Sequence, residues 1–205
     1  MPTRLFHWGL VLALAAAWTF VWMNEMTWHM YAGYSAATLV VFRLIWGLIG
    51  SDTARFSQFV RGPATLMNYL RTGVHDRAGH NPLGALSVLA LLVFVLTQAG
   101  TGLFSNDDIF FDGPWARVVT KDTSDAVTSY HKLNKNILLA LIALHLGAVA
   151  WYHWRGRNLT RPMLTGRAEA PAELAEPRRR PLWLAALALA LAAGLVGVAF
   201  RFWWL

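Results

Sequence analysis

Five long apolar stretches constrain this chain more than any other feature of its sequence. A helix needs about 20 apolar residues to cross the hydrocarbon core of a bilayer, and within lipid only helices and closed barrels satisfy all their backbone hydrogen bonds. The chain has 205 residues, of which 56% are hydrophobic and 14% are charged. We therefore predict an all-α integral membrane protein. Its predicted spans are Leu5–Met23, His29–Ile49, Leu83–Phe104, Tyr130–Tyr152 and Leu182–Phe200.

The basic residues predict how these spans are oriented. Arginines are concentrated in the N-terminus and in the connections 51–82 and 153–181, whereas the connections 24–28 and 105–129 contain few basic residues. Basic connections usually remain in the cytoplasm. We therefore expect a cytoplasmic N-terminus and a C-terminus on the outer side. The formal charge of +7 follows this topological pattern and does not indicate nucleic-acid binding.

The absence of cysteine narrows the chemistry that this chain can support. Covalent haem attachment, cysteine-held iron–sulfur clusters, disulfides and thiol catalysis all require cysteine. Any redox group must therefore be held by histidine or methionine without a covalent tether.

The fourth span carries two histidines, His131 and His145, fourteen residues apart. In a helix of 3.6 residues per turn, this spacing places both rings on one face to within about 40°, separated by roughly 21 Å along the axis. One ring then lies near each edge of the membrane. An ionisable ring is costly in lipid unless another group binds it. The spacing of His131 and His145 therefore indicates two binding partners, one at each depth.

Two further histidines match these depths. His7 lies near the cytoplasmic end of span 1, level with His145, and His29 opens span 2 at the outer end, level with His131. Each histidine alone could be an ordinary interfacial side chain, but two level-matched pairs indicate ligation. Zinc would need more ligands clustered at one site, whereas two imidazoles from facing helices suit haem iron. We predict an inner haem b between His7 and His145 and an outer one between His29 and His131.

Three other residues are weaker candidates. His153 competes for the inner pair, although its place at the cytoplasmic edge favours an interfacial role. Arg43 follows His29 by fourteen residues and shares its face at the inner depth, where it could bind a haem propionate or a quinone oxygen, or extend to the cytoplasmic surface. His80 opens span 3 and could line a quinone pocket, bind a propionate or serve only as a helix entry.

Short motifs around these residues resemble the bacterial cytochrome b561 superfamily when they are taken together and in order. They are PTRLFHW in span 1, WHMYAGY and FRLIWG in span 2, GHNPLGALSVLALL in span 3, and the paired histidines of span 4 followed by YHW. More specifically, they resemble the b-type cytochrome subunits associated with nickel–iron hydrogenases and similar redox partners, over roughly Pro2–Gly166. It implies a four-helix bundle with two haems b and the ligand pairs given above, in the bacterial inner membrane.

The predicted domain organisation follows from this coverage. Residues 1–166 form the di-haem domain, residues 167–181 a cytoplasmic linker, and residues 182–205 a C-terminal transmembrane anchor that ends in the periplasm. The fifth span contains no histidine and is therefore not expected to contribute a ligand.

The resemblance implies a cytochrome that carries electrons between the quinone pool and a partner redox protein, either alone or as a subunit of an oxidoreductase complex. The partner would be a c-type cytochrome or another redox subunit. Asp107, Asp108 and Asp112 in the outer connection could dock a basic c-type cytochrome, or they could form a solvated loop.

The alternative function is a superoxide oxidase that reduces quinone, an activity found in some relatives. The acidic outer connection disfavours it, because a negative surface repels an anion. Arg117, Lys121 and Lys132 could nevertheless form a local positive funnel.

Overall fold

The computed structural model describes residues 1–60, 62–72, 82–166, 178 and 180–201. Five of its helices are long and apolar enough to cross a membrane, which confirms the all-α prediction with five apolar spans. The spanning helices are α1 (Pro2–Trp22), α2 (Met26–Ile49), α5 (Pro82–Gly102), α6 (Lys121–Trp154) and α8 (Leu182–Arg201). Two short helices, α3 (Phe56–Phe59) and α4 (Pro63–Thr72), lie between α2 and α5, and α7 (Thr160–Thr165) lies between α6 and α8. A 3₁₀ helix at Ala116–Val118 lies between α5 and α6.

The fourth spanning helix is longer than its apolar residues predict. α6 begins at Lys121, not near Tyr130, because the side chain of Thr120 caps it by accepting a hydrogen bond from the backbone N–H of Thr123. Asp122 adds a negative charge at the positive end of the helix dipole. Residues 121–129, which we expected in the outer connection, therefore extend the helix.

α2 is the central helix of the bundle. It packs against α1, α5 and α8, and α6 packs against α5. The core between these helices contains Val40 and Trp46 from α2, Val95 from α5 and Leu138 from α6, each at most 2% exposed. α1 and α6, which carry the predicted inner ligands, are not among the closely packed helix pairs.

α8 lies against α2 through a face of small residues. Ala185, Ala188 and Ala192 are buried, and their short side chains allow the two helices to approach closely. Hydrogen bonds hold the helix at both ends. At its start, Arg178 and Asp52 exchange two bonds of 3.2 and 2.9 Å, and near its end the indole N–H of Trp115 donates to the carbonyl of Ala199 at 2.9 Å.

Candidate metal centres

The predicted outer ligands His29 and His131 face each other. Their ring centroids are 6.3 Å apart and their planes cross at 88°. A metal-bound imidazole nitrogen lies about 2.0 Å from the metal and the ring centroid about 1.1 Å behind it, so two imidazoles on opposite sides of one ion have centroids roughly 6 Å apart. The observed separation fits two axial ligands of one haem iron.

A hydrogen bond to α1 orients the His29 ring. Its Nδ1 lies 2.8 Å from the carbonyl oxygen of Ala17. Because a carbonyl only accepts, Nδ1 carries the proton and Nε2 keeps its lone pair. Metal-binding histidines commonly use a second hydrogen bond of this kind to fix the ring and its tautomer.

The His131 ring is oriented by a threonine of α5. The hydroxyl of Thr101 donates to the carbonyl of Thr97 at 2.7 Å, so its oxygen accepts from Nδ1 of His131 at 3.0 Å. This bond also leaves Nε2 of His131 unprotonated, so that it carries the lone pair of the ring. Both outer histidines therefore have the tautomer that iron ligation through Nε2 requires.

The side-chain amides of Asn134 and Gln98 complete the environment of His131. Asn134 is fully buried and donates to the side-chain oxygen of Gln98 at 2.6 Å, so the NH₂ group of Gln98 points towards His131 Nε2, 2.9 Å away. Ligation of iron at that nitrogen requires Gln98 to give up this contact.

A glycine admits the His131 ring to its position. A Cβ atom at Gly102 would lie 3.2 Å from Cε1 of His131, which is closer than most real contacts. The absent side chain thus leaves room for the ring at the end of α5.

The predicted inner ligands lie on α1 and α6. Both residues are partly buried. Nδ1 of His7 is buried and has no hydrogen-bond partner in the described part of the chain. No group of three or more histidine, aspartate or glutamate side chains converges on a metal site within the described ranges.

Arg43 is buried, although one sequence-based alternative placed it at the cytoplasmic surface. Only 3% of the residue is exposed. Its guanidinium carbon lies 4.7 Å from the ring centroid of Phe56 and 6.0 Å from that of Phe59, both in α3. α3 follows α2 in the chain and covers the arginine, a relationship that the pattern of apolar residues does not reveal.

The two remaining histidine candidates differ in what can be said of them. His153 is exposed in the last turn of α6, which agrees with an interfacial role. His80 lies outside the described residues, so its roles at a quinone or propionate remain predictions.

The charged residues of the outer connection are largely paired with one another. Lys121 forms ion pairs with Asp108 and Asp125, and Arg117 lies 3.5 Å from Asp112. Paired cations attract an external anion less strongly, so these contacts weigh against the positive funnel that a superoxide oxidase would need.

Asp107 stabilises the backbone of the same connection. Its carboxylate accepts hydrogen bonds from the backbone N–H groups of Phe111, Phe110 and Ile109 at 2.7, 2.9 and 3.0 Å. These bonds, that of Phe111 above all, lower the pKa of Asp107 below its ordinary value.

The surroundings of His131 were not predicted from the sequence. Gln98 and Thr101 lie three residues apart in α5, and Asn134 follows His131 by three residues in α6. The available signal was the presence of polar side chains inside apolar spans, since these are costly in lipid and usually face the bundle interior. Which ring they contact depends on the rotation of α5 against α6.

A bundle of apolar helices that presents paired, internally hydrogen-bonded imidazoles is the arrangement of a membrane cytochrome that holds haem without a covalent bond. The chain belongs to the prokaryotic cytochrome b561 family, whose model matches residues 1–166. The resemblance drawn from the sequence motifs is thereby confirmed. Family membership implies a membrane b-type cytochrome that transfers electrons. Comparison with curated proteins and with solved structures found no match.

Proposed function

We propose that this protein is a di-haem b-type cytochrome that carries electrons across the membrane between the quinone pool and a partner redox protein on the outer side. The observation that carries the proposal is the outer histidine pair. Its 6.3 Å centroid separation and the hydrogen bonds that protonate both Nδ1 atoms suit two axial ligands.

The ligands belong to two levels of the bundle. His29 and His131 would hold the outer haem, and His7 and His145 the inner one. When bound, each haem supplies the one-electron chemistry of its iron. The protein binds and orients the haems, and the rigid helix α6 sets the spacing between the levels because it carries one ligand of each.

An apolar layer lies between the two levels. Leu138 is midway between His131 and His145 in the sequence and is 1% exposed. It belongs to the same buried cluster as Val40 and Val95. Apolar side chains at this depth are unfavourable for water, which suits the transfer of electrons without protons between the levels.

The outer connection supports a basic partner. Between residues 105 and 129 the chain has five aspartates against one arginine and one lysine, so the surface keeps a net negative charge after the internal ion pairs form. A positively charged redox protein, such as a basic c-type cytochrome, would be attracted to this face. Quinone would exchange electrons at the inner level.

The proposal is tested by haem analysis of the purified protein. We expect a reduced-minus-oxidised spectrum of b type and two haems per chain. His29→Ala and His7→Ala should each remove one haem, whereas the matched control His153→Ala, at an exposed histidine of α6, should retain both. A wild-type protein without b-type haem would refute the proposal.

A further inference from the structure

Arg43 is a buried cation, and none of the residues that the structure describes supplies it with an anionic partner. It is 3% exposed, and its Nη1 is buried without a hydrogen-bond partner among the described residues. No ion pair between described residues includes it. Its contacts are the rings of Phe56 and Phe59. A cation over an aromatic face recovers only part of the hydration that it loses on burial.

The guanidinium is held in place by its surroundings. Phe56 packs so closely on α2 that a Cβ at Gly47 would lie 2.1 Å from its Cε2 atom. Glycine at this position therefore lets the Phe56 ring lie against the helix and cover Arg43. A buried charge fixed in this way is pre-organised for an anion and has lost the freedom to extend into water.

Residue spacing places Arg43 at the depth of the proposed inner haem. Arg43 lies fourteen residues after His29 on α2, as His145 lies fourteen residues after His131 on α6. Because α2 and α6 are both expected to run inwards, the helical rise per residue puts Arg43 and His145 at the same depth, roughly 21 Å from the outer pair. Arg43 also shares the face of α2 that carries His29, to within about 40°.

We propose that Arg43 binds a propionate carboxylate of the inner haem, an inference that rests on the proposed function. A quinone oxygen could also accept from the guanidinium, but a neutral carbonyl does not cancel a buried charge. A carboxylate supplies both the hydrogen-bond acceptor and the opposite charge. Arg43 is thus a cofactor-binding residue that raises the reduction potential of the inner haem and retains it.

The test compares Arg43→Met with Arg55→Met in the full chain. Arg55 lies in the connection that follows α2 and is already paired with Asp52. Arg55→Met therefore removes one positive charge, as Arg43→Met does, but takes no partner from a haem propionate. We expect Arg43→Met to lower the midpoint potential of the inner haem and to accelerate its loss to a haem acceptor roughly tenfold or more. Arg55→Met should change neither.

Thermal unfolding of the haem-depleted chain separates cofactor binding from a structural role. Methionine has a similar volume and carries no charge, so without haem Arg43→Met should unfold at the same temperature as the wild type or higher. If the variant lowers that temperature and leaves haem potential and retention unchanged, Arg43 is structural and the inference is wrong. The inference would also be wrong if Arg43→Met no longer bound a quinone analogue but kept the wild-type potential and retention of the inner haem.

Failure of this inference differs from failure of the proposed function. A wild-type protein with two haems and an unaffected Arg43→Met variant contradicts the inference alone. A wild-type protein that binds no haem contradicts both.

Discussion

The imidazole planes of His29 and His131 are perpendicular, at 88°. The cause lies in their separate hydrogen bonds, because Ala17 on α1 fixes one ring and Thr101 on α5 the other. The relative orientation of the two rings is therefore set by the packing of the helices.

The perpendicular planes predict the magnetic properties of the outer haem. Crossed imidazoles interact almost equally with two iron d orbitals and keep them nearly degenerate. We expect a strongly anisotropic low-spin ferric signal in electron paramagnetic resonance, and the signal should disappear in His131→Ala. A weakly anisotropic spectrum, as parallel rings produce, would show that the pair reorients when haem binds.

Thr101 should tune the outer haem through His131. Thr101→Val removes the acceptor for Nδ1–H, so the imidazole becomes a weaker donor and ferric iron is less stabilised. We expect a higher outer-haem potential and a haem affinity lower by roughly 10–100-fold. Thr101→Ser should preserve wild-type values, and Thr19→Val, which removes a hydroxyl that bonds only within α1, is the control. Equal effects of valine and serine at position 101 would contradict the hydrogen-bond explanation.

The absence of a side chain at Gly102 should be required for haem binding at the proposed outer site. A Cβ there would press on the His131 ring at 3.2 Å, whereas a Cβ at Gly100 meets nothing within 4 Å. Gly102→Ala should therefore lower the occupancy of the outer haem, and Gly100→Ala should not. Spectroscopic haem quantification of both variants provides the measurement, and identical occupancies would rule out the steric argument.

The close packing of α8 on α2 should limit the size of side chains only on the face of α8 that contacts α2. Ala192 is fully buried and Ala190 is exposed. Ala192→Leu should lower the free energy of unfolding by about 1–3 kcal/mol through overpacking. Ala190→Leu should have little effect. Thermal unfolding in detergent compares the two, and equal stabilities would mean that α8 does not pack against α2 in this register.

Acid should loosen the outer connection through Asp107. The pKa of this carboxyl is lowered in the folded protein from an ordinary value of 3.8, so its stabilising contribution is complete above that value and is lost as pH falls through the folded pKa. Hydrogen exchange of residues 109–111 should therefore show constant protection at neutral pH and increased opening only below about pH 4. Loss of protection near pH 6 would point to another group.

Sequence patterns were sufficient to predict the properties that depend only on a residue's position along a helix. Hydrophobic length located the five spans, and residue spacing predicted that His29 and His131 share a level, because depth follows directly from rise per residue. The predicted start of α6 was too late by about two and a half turns, since a capping threonine extends a helix whether or not its first residues are apolar.

The sequence by itself determined the class of protein, the membrane topology we expect and the shared level of His29 and His131, because these depend on hydrophobicity, charge and count along the chain. Tertiary structure alone decided that Thr101 and Gln98 contact His131, that α3 covers Arg43 and that α8 packs on α2. Each of these contacts joins elements whose mutual rotation and approach depend on side-chain packing between helices, and a single chain segment does not encode that packing.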